Sequence, residues 1–221
     1  VGALDRLCAR SFLFVSVCLF FAELALNGLI VWRVPYTEID WIAYMDEVGG
    51  VIGGDYNYTH LEGPTGPLVY PGGFVWFYMV LSWMTDAGAN VPRAQAIFVA
   101  FYMTTFSVVA AIYARAAPKL GFHPLGLLLL CCSKRIHSIF SLRLFNDGPC
   151  MLLLYMSVLI WLQTKPSLRA SGASSRSIVF KAHSYNMARW TAGCLIFSFA
   201  FGIKMNIVLF SPALALLLFT E

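Results

Sequence analysis

Between Ser11 and Trp32 the chain runs for about 22 residues with Glu23 as its only charged side chain. A bilayer core offers no water to backbone N–H and C=O groups, so a spanning segment must be a helix or part of a closed barrel. Barrel strands are short and alternate in polarity. The apolar runs here are about 20 residues long and unevenly spaced, the length a transmembrane helix needs. Composition agrees, since 59% of residues are hydrophobic, 12% are charged and the mean hydropathy is +0.73, far from a soluble domain. The expected fold class is an all-α polytopic membrane protein. The net charge of +4 decides little, because the placement of Lys and Arg outweighs their sum in such a protein.

Placement gives a topology. Arg6 and Arg10 precede the first span and set a cytosolic start. A signal peptide is the competing reading, but the run is too long for its apolar region and no small-residue cleavage site follows. The segment Thr164 to Arg189 carries Lys165, Arg169, Arg176, Lys181 and Arg189, no acid, and a Ser/Gly/Ala-rich middle, which predicts a flexible cytosolic loop. Counting back from it, Pro149 to Leu162 crosses inward, Ser133 to Asp147 is outside and Gly121 to Cys132 crosses outward. Arg115 and Lys119 are then cytosolic and Ala94 to Ala114 descends from the outside. That leaves Phe74 to Met84, about 11 residues and short for a span, as an amphipathic or re-entrant helix on the outer leaflet, with Trp76, Tyr78 and Trp83 at headgroup level. One long outer loop, about 33–93, results. The last apolar region, Trp190 to Phe219, is interrupted by Lys204-Met205-Asn206 and reads as a hairpin of short helices turning at Lys204, with Pro212 kinking the second. The chain starts at Val1 and stops at Thr220-Glu221 directly after an apolar run, which reads as a fragment.

Polar chemistry concentrates in Arg33 to Tyr70. This stretch holds Glu38, Asp40, Asp46, Glu47, Asp55 and Glu62 against the single strongly basic Arg33. A solvated loop would explain the acids. The interleaved Tyr36, Trp41, Tyr44, Tyr56, Tyr58 and Tyr70 argue for a sugar-binding or interfacial surface and make the loop the candidate active site. Within the first span, Glu23 and Asn27 lie four apart on one helix face and can share a partner in the bundle. They touch substrate or make a structural hydrogen bond. The segment Ser133 to Asp147 carries Lys134, Arg135, His137 and Arg143 against Asp147, so an anionic ligand such as a phosphate accounts for it, or the count is off by one and the loop is cytosolic. Lys204 either snorkels or faces a cavity and an anion.

The remaining motifs are sparse. Cys8, Cys18, Cys131, Cys132, Cys150 and Cys194 show no paired spacing, and His60, His123, His137 and His183 show no ligand spacing. No Walker, GxGxxG or GxSxG motif occurs, and Gly49, Gly50, Gly53 and Gly54 lack the preceding strand of a phosphate cradle. Asn57-Tyr58-Thr59 is a glycosylation sequon, accessible if the loop is luminal. A transporter or channel subunit would place inverted repeats and broken helices in paired positions, which the sequence does not show. A non-catalytic scaffold would not need acids beside aromatics.

The blocks VPYTEIDWIAYMDEV, TGPLVYPGGFVW, SKRIHSIFSLRLFND, RWTAGC and KMNIVLFSPALALLL resemble, in this order, the eukaryotic dolichyl-phosphate-mannose-dependent α-1,3-mannosyltransferases of asparagine-linked glycosylation, of the glycosyltransferase C superfamily. The resemblance covers nearly the whole chain. It implies a multi-pass glycosyltransferase C helical bundle of the endoplasmic reticulum membrane with a long first luminal loop. The implied reaction adds a mannose from dolichyl phosphate mannose to the dolichyl-diphosphate-linked pentamannosyl heptasaccharide on the luminal face. Family members are roughly twice this length, so residues 1–221 would be the N-terminal part of one transmembrane domain.

The superfamily's acidic residue in the first luminal loop corresponds to one of Glu38 and Asp40. A β-linked donor and an α-linked product require one inverting displacement and one base, for which Asp40 is favoured. On a helix the two acids would point about 200° apart, leaving Glu38 to orient Arg33 or a sugar hydroxyl; Asp46 and Glu47 are next in line as bases. Candidate substrate-binding residues are Arg33, Trp41, Tyr44, Lys134, Arg135, His137, Arg143, Asn146, Asp147 and Lys204. No cofactor and no obligatory metal are implied.

Overall fold

The computed structural model describes the backbone of residues 3–163 and 176–220 and, within them, the side chains of 11–117, 121–163 and 186–216. The first apolar run is helix α1, Ala3–Arg33, whose Ser11–Arg33 part is long and apolar enough to cross a membrane. Helix α4, Val91–Leu120, supplies the second such segment, Val91–Ala117. Its ends are set locally: Arg93 N donates to the Asn90 side chain at 3.1 Å, and Gly121, at φ +65°, closes the other end. By length and composition the chain is a helical membrane protein.

Between these spans the polar stretch folds. Helix α2, Trp41–Ile52, leads to a two-residue antiparallel pair, β1 Glu62–Gly63 with β2 Gly66–Pro67, and then to α3, Gly72–Met84. Trp41, Tyr44, Val48, Leu61 and Leu68 join Phe74 and Tyr78 of α3, Phe98 of α4 and Leu144 in one core. Trp41 and Tyr44, only 1% and 3% exposed, thereby leave the expected aromatic surface for the core, whereas Tyr56 and Tyr58 stay exposed. Residues 41, 44, 45 and 48 form one apolar helix face, and burying each large side chain contributes about 1.5–3 kcal/mol. The Trp41 indole donates to Gly88 O at 3.0 Å, which ties α2 to the α3–α4 turn. Gly88 has φ +84°, and a Cβ there would meet Met45 Cγ at 2.3 Å, so only glycine fits.

Helix α3 has the expected place and length. Trp76 and Trp83 are 71% and 83% exposed, but Tyr78 is fully buried, which removes it from the expected headgroup row. The helix packs on the last long helix, where Gly73 meets Gly202 so closely that a Cβ on Gly73 would lie 2.7 Å from the Gly202 carbonyl carbon.

Residues 121–147 depart from expectation. In place of one span and a loop there is a 3₁₀ turn at Pro124–Gly126, α5 at Leu127–Cys131, α6 at Lys134–His137 and a wide π turn at Ser138–Leu142. The two halves are bent by 56° and only together have a span's length. Pro124 and Gly126 interrupt the first half, and Ser133 starts the second by accepting from Ile136 N. Leu144 then turns the chain at φ +51° and is itself fully buried. A branched side chain in that region costs on the order of 1–3 kcal/mol, recovered here by burial.

Helix α7, Asp147–Trp161, packs on α8, Arg176–Ile203, through Cys150, Leu154, Trp161, Phe197, Ala200 and Ile203. Of the expected flexible loop, 164–175 lies outside the described residues. Arg176 to Arg189 is helical, contrary to expectation. No proline occurs from Arg176 to Ile203, and the small-residue tract ends at Ser175. The chain breaks at Lys204 (φ −147°, ψ 123°), as expected, then continues as a 3₁₀ turn, Met205–Phe210, and α9, Ser211–Thr220. Pro212 sits in the first turn of α9, where its missing N–H costs nothing, and so starts that helix instead of kinking it.

Candidate active site

Pro35 follows the last turn of α1, and Thr37 N donates to Leu142 O at 3.1 Å. The strand-like run into α2 is thereby pinned to the end of the π turn. The two acids that follow lie ahead of α2 and not on it, which corrects the picture of two side chains splayed about a helix. Glu38 Oε1 accepts from Ile42 N at 3.1 Å and its Oε2 from the Tyr36 hydroxyl at 2.5 Å. Glu38 therefore caps α2, a task its longer arm can reach. Asp40 occupies the N-cap position without a side-chain cap, and its carboxylate accepts a 3.3 Å hydrogen bond from the Tyr44 hydroxyl. One carboxylate is committed and the other is open.

The surrounding phenols stay neutral. Burial, then the Glu38 hydrogen bond and charge, holds the Tyr36 hydroxyl well above its usual range. Burial, then the neighbouring Tyr78, does the same for Tyr44. The rings of Tyr44, Tyr70, Phe74 and Tyr78 pack in sequence, Tyr44 to Tyr78 at 4.9 Å, Tyr70 to Phe74 at 4.6 Å and Phe74 to Tyr78 at 4.3 Å between centroids.

Glu47, on the same face of α2 two turns beyond Asp40, is 3% exposed. Its Oε2 has no hydrogen-bond partner. Burial foremost, with the Asp40 and Asp46 charges, pushes its carboxyl up to about 7. The Tyr78 hydroxyl is likewise buried and unpartnered, and the groups acting on it electrostatically are Tyr70, Asp147, Asp40 and Glu47. Tyr78 thus links the acids of α2 to the start of α7. There Lys204 Nζ lies 2.8 Å from both Asn146 Oδ1 and Asp147 Oδ1. The break after Ile203 supplies this lysine, which pairs with Asp147. Asn146 is fully buried, with its Nδ2 unpartnered. Arg143 is exposed and directly follows Leu142, the residue bound to Thr37. Arg33 is exposed at the end of α1, its guanidinium 4.1 Å over the Trp32 ring.

The other sequence candidates lie elsewhere. Glu23 Oε2 accepts from the Tyr102 hydroxyl at 2.5 Å and lies 2.7 Å from His137 Nε2, all three being buried. His137 Nδ1 is 2.9 Å from Ser133 O, so both ring nitrogens face oxygens. Asn27 does not share that partner. Its Nδ2 donates to Glu23 O at 2.9 Å, its Oδ1 accepts from Ser141 Oγ at 2.5 Å, and Gln95 Nε2 donates to Ser141 O at 2.8 Å. Along α1, Glu23 meets His137 and Asn27 meets Ser141, and Thr37, past the end of the helix, meets Leu142. At 1.5 Å per residue, Glu23 is about 15 Å below Arg33. Lys134 and Arg135, before His137, belong to that lower level. They are exposed and make no ion pair among the described residues. Asn146, Asp147 and Lys204 form one cluster, Glu38, Asp40 and Tyr44 another, and Thr37 bound to Leu142, next to Arg143, ties the two segments. His137, Lys134 and Arg135 join neither, and Trp41 is core. Sequence alone set Tyr78 at headgroup level and did not single out Tyr102, one of two tyrosines in α4. Glu47 was signalled by falling on the 41-44-48 face.

The fold and site define a polytopic helical membrane protein with a polar, carboxylate-bearing centre where α1 ends and α2 and α7 begin. The chain belongs to the ALG3 protein family, which matches residues 17–221. It is 42% identical over 213 residues to the Dol-P-Man:Man(5)GlcNAc(2)-PP-Dol alpha-1,3-mannosyltransferase of Homo sapiens, covering 96% of this chain and 42% of that protein. The Arabidopsis thaliana protein of the same name is 40% identical over 203 residues, 92% of this chain and 40% of its own length. In Drosophila melanogaster the protein named Dolichyl-P-Man:Man5GlcNAc2-PP-dolichol alpha-1,3-mannosyltransferase l(2)not2 is 41% identical over 204 residues, 91% and 36% respectively. The chain thus spans less than half the length of these relatives. No solved structure matches it.

Proposed function

We propose that the chain is the N-terminal part of an endoplasmic reticulum mannosyltransferase of glycosyltransferase C type, with residues 33–93 on the luminal side. It transfers mannose from dolichyl phosphate mannose to the dolichyl-diphosphate-linked pentamannosyl heptasaccharide, forming an α-1,3 linkage. The names of the relatives support this reading, and they offer nothing for solute transport. The observation that carries it is the division of labour between the two acids. Glu38 is spent on the α2 N–H and Tyr36, whereas Asp40 keeps an oxygen open.

The chemistry follows from that difference. The acceptor hydroxyl oxygen attacks the anomeric carbon, the bond from that carbon to the phosphate oxygen breaks, and Asp40 takes the hydroxyl proton. One displacement converts a β-linked donor into an α-linked product. General-base catalysis supplies about 10²–10⁴-fold, and alignment and charge stabilisation supply the rest. Arg143 and Lys204 are the cations of the same rim that meet the departing phosphate, Arg by a bidentate fork and Lys as a point charge. Asn146 and Asp147 hold Lys204 in place, the Tyr44 hydroxyl holds Asp40, and Arg33 lines the approach. No metal or cofactor enters the proposal.

The test is an assay of the full-length enzyme with lipid-linked acceptor and dolichyl phosphate mannose, followed by linkage analysis. An α-1,3-mannosyl product is expected. Absence of transfer, or another linkage, overturns the reading.

A further inference from the structure

We propose that Asn57 carries an N-linked oligosaccharide, a modification site that rests on the luminal placement of residues 33–93 proposed above. Asn57, Tyr58 and Thr59 satisfy the acceptor pattern of asparagine, any residue but proline, then threonine. All three are exposed, in the turn between α2 and β1, and none belongs to the aromatic core beside it.

The turn presents the asparagine amide in a defined state. Thr59 donates twice to Asn57 Oδ1, from its hydroxyl at 2.8 Å and from its backbone N–H at 3.1 Å. Two donors on the carbonyl oxygen draw electron density from the amide and make its N–H more acidic, and N–H is the bond that glycosylation must break. On the other side, Asn57 N donates to Asp55 Oδ1 at 2.9 Å. His60 Nδ1 lies 3.0 Å from Asp55 Oδ2, and its Nε2 lies 3.1 Å from Asn57 Nδ2. With the ring proton on Nδ1 and given to Asp55, Nε2 is an acceptor and takes one of the two Nδ2 hydrogens. Glycosylation replaces only one of those hydrogens. The other keeps its bond to His60, so the turn holds with the sugar attached, and the exposed ring of Tyr56 offers an apolar face to the first sugar.

The balance of the step is simple. A bond forms between Asn57 Nδ2 and the anomeric carbon of the first sugar while that carbon's bond to a lipid diphosphate oxygen breaks. The amide proton passes to a base of the transferring enzyme, and the lipid diphosphate leaves as an anion. The co-reactant is a lipid-diphosphate-linked oligosaccharide and the catalyst a membrane oligosaccharyltransferase of the same compartment.

The test uses the full-length protein, tagged at its C-terminus and made in eukaryotic cells. Mobility is read on total denatured protein before and after an endoglycosidase that releases N-glycans, so a folding defect does not hide the result. The unaltered chain is expected to carry one glycan more than either Asn57→Gln or Thr59→Ala. A glycine-flanked Asn-Ser-Thr inserted between Pro64 and Thr65, at the β1–β2 turn, is made in the Asn57→Gln background to report orientation. Modification of the insert with none at Asn57 overturns the proposal and leaves the luminal placement standing. If neither is modified, both fall.

Discussion

Removal of the Glu23 carboxylate tests what holds the bent segment against the first span. Glu23 Oε2 is 2.5 Å from the Tyr102 hydroxyl and 2.7 Å from His137 Nε2, and in Glu23→Ala both partners lose their acceptor in a buried site. A neutral hydrogen bond between membrane helices is worth only about 0.6 kcal/mol, since the unfolded chain in the membrane finds other partners. Hydrogen bonds to a charged group are worth about 1.5–3 kcal/mol each, and removing one member of a buried ion pair costs about 3–5 kcal/mol. We expect Glu23→Ala to destabilise the full-length protein by about 3 kcal/mol, roughly a hundredfold in the folding equilibrium. The assay is denaturant titration in detergent of Glu23→Ala, His137→Ala and the double variant. Their cycle isolates the pair and should return a coupling of about 1.5–3 kcal/mol. A coupling of about 0.6 kcal/mol or less would refute the charge-pair argument and reduce the contact to an ordinary polar bridge.

Asp40→Asn keeps shape but cannot accept a proton, so turnover by the full-length enzyme should fall by about 10²-fold or more with lipid substrates still bound, while Glu38→Gln, still able to accept from Ile42 N, should be milder; the reverse ranking in a steady-state assay would exchange the roles. Arg143→Ala should weaken use of dolichyl phosphate mannose by about 1.5–3 kcal/mol and Arg135→Ala should not, and equal donor kinetics in the two would dissolve the separation of levels drawn along α1. Glu47, with an ordinary value of 4.5 raised to about 7, binds a proton in the folded chain that the unfolded chain has lost. Stability should therefore fall as pH rises from about 4.5 to about 7 and level off above, and Glu47→Gln should flatten that slope in melts taken across the window, an unchanged slope counting against it.

The long spans were legible because length and lack of charge suffice to define them. Ser11–Trp32 and Ala94–Ala114 fall inside α1 and α4 as found. Residues 33–70 were legible as the polar centre, but not as a folded unit. The spacing of Trp41, Tyr44, Met45 and Val48 is helical, and that period outranks the alternation of acids and aromatics as a guide to which side chains are buried. The roles of the two acids could not be read, because they depend on α2 beginning at Trp41, one residue after Asp40. His137 was placed with the basic residues around it, and nothing local marks its pairing with a carboxylate 114 positions away. Lys204 was visible as a breaker inside an apolar run, but its partners are 57 and 58 residues off and came only from the packing of α7 on α8.

Where Gly73 touches Gly202, α3 and α8 meet backbone to backbone, and this contact fixes the dimensions of the site. Gly73 leads into the stacked rings beside Asp40, and Gly202 comes two residues before Lys204. A methyl group on Gly73 would start 2.7 Å from the opposing carbonyl carbon, against about 3.5–4.0 Å for an unstrained contact, so the helices would have to part by about 1 Å. Misplacement on that scale alone costs about 10²-fold in a positioned reaction. The spacing between the proposed base and the proposed cation therefore depends on a contact that neither group makes, and a residue with no side chain can set the tolerance of a reaction it never touches.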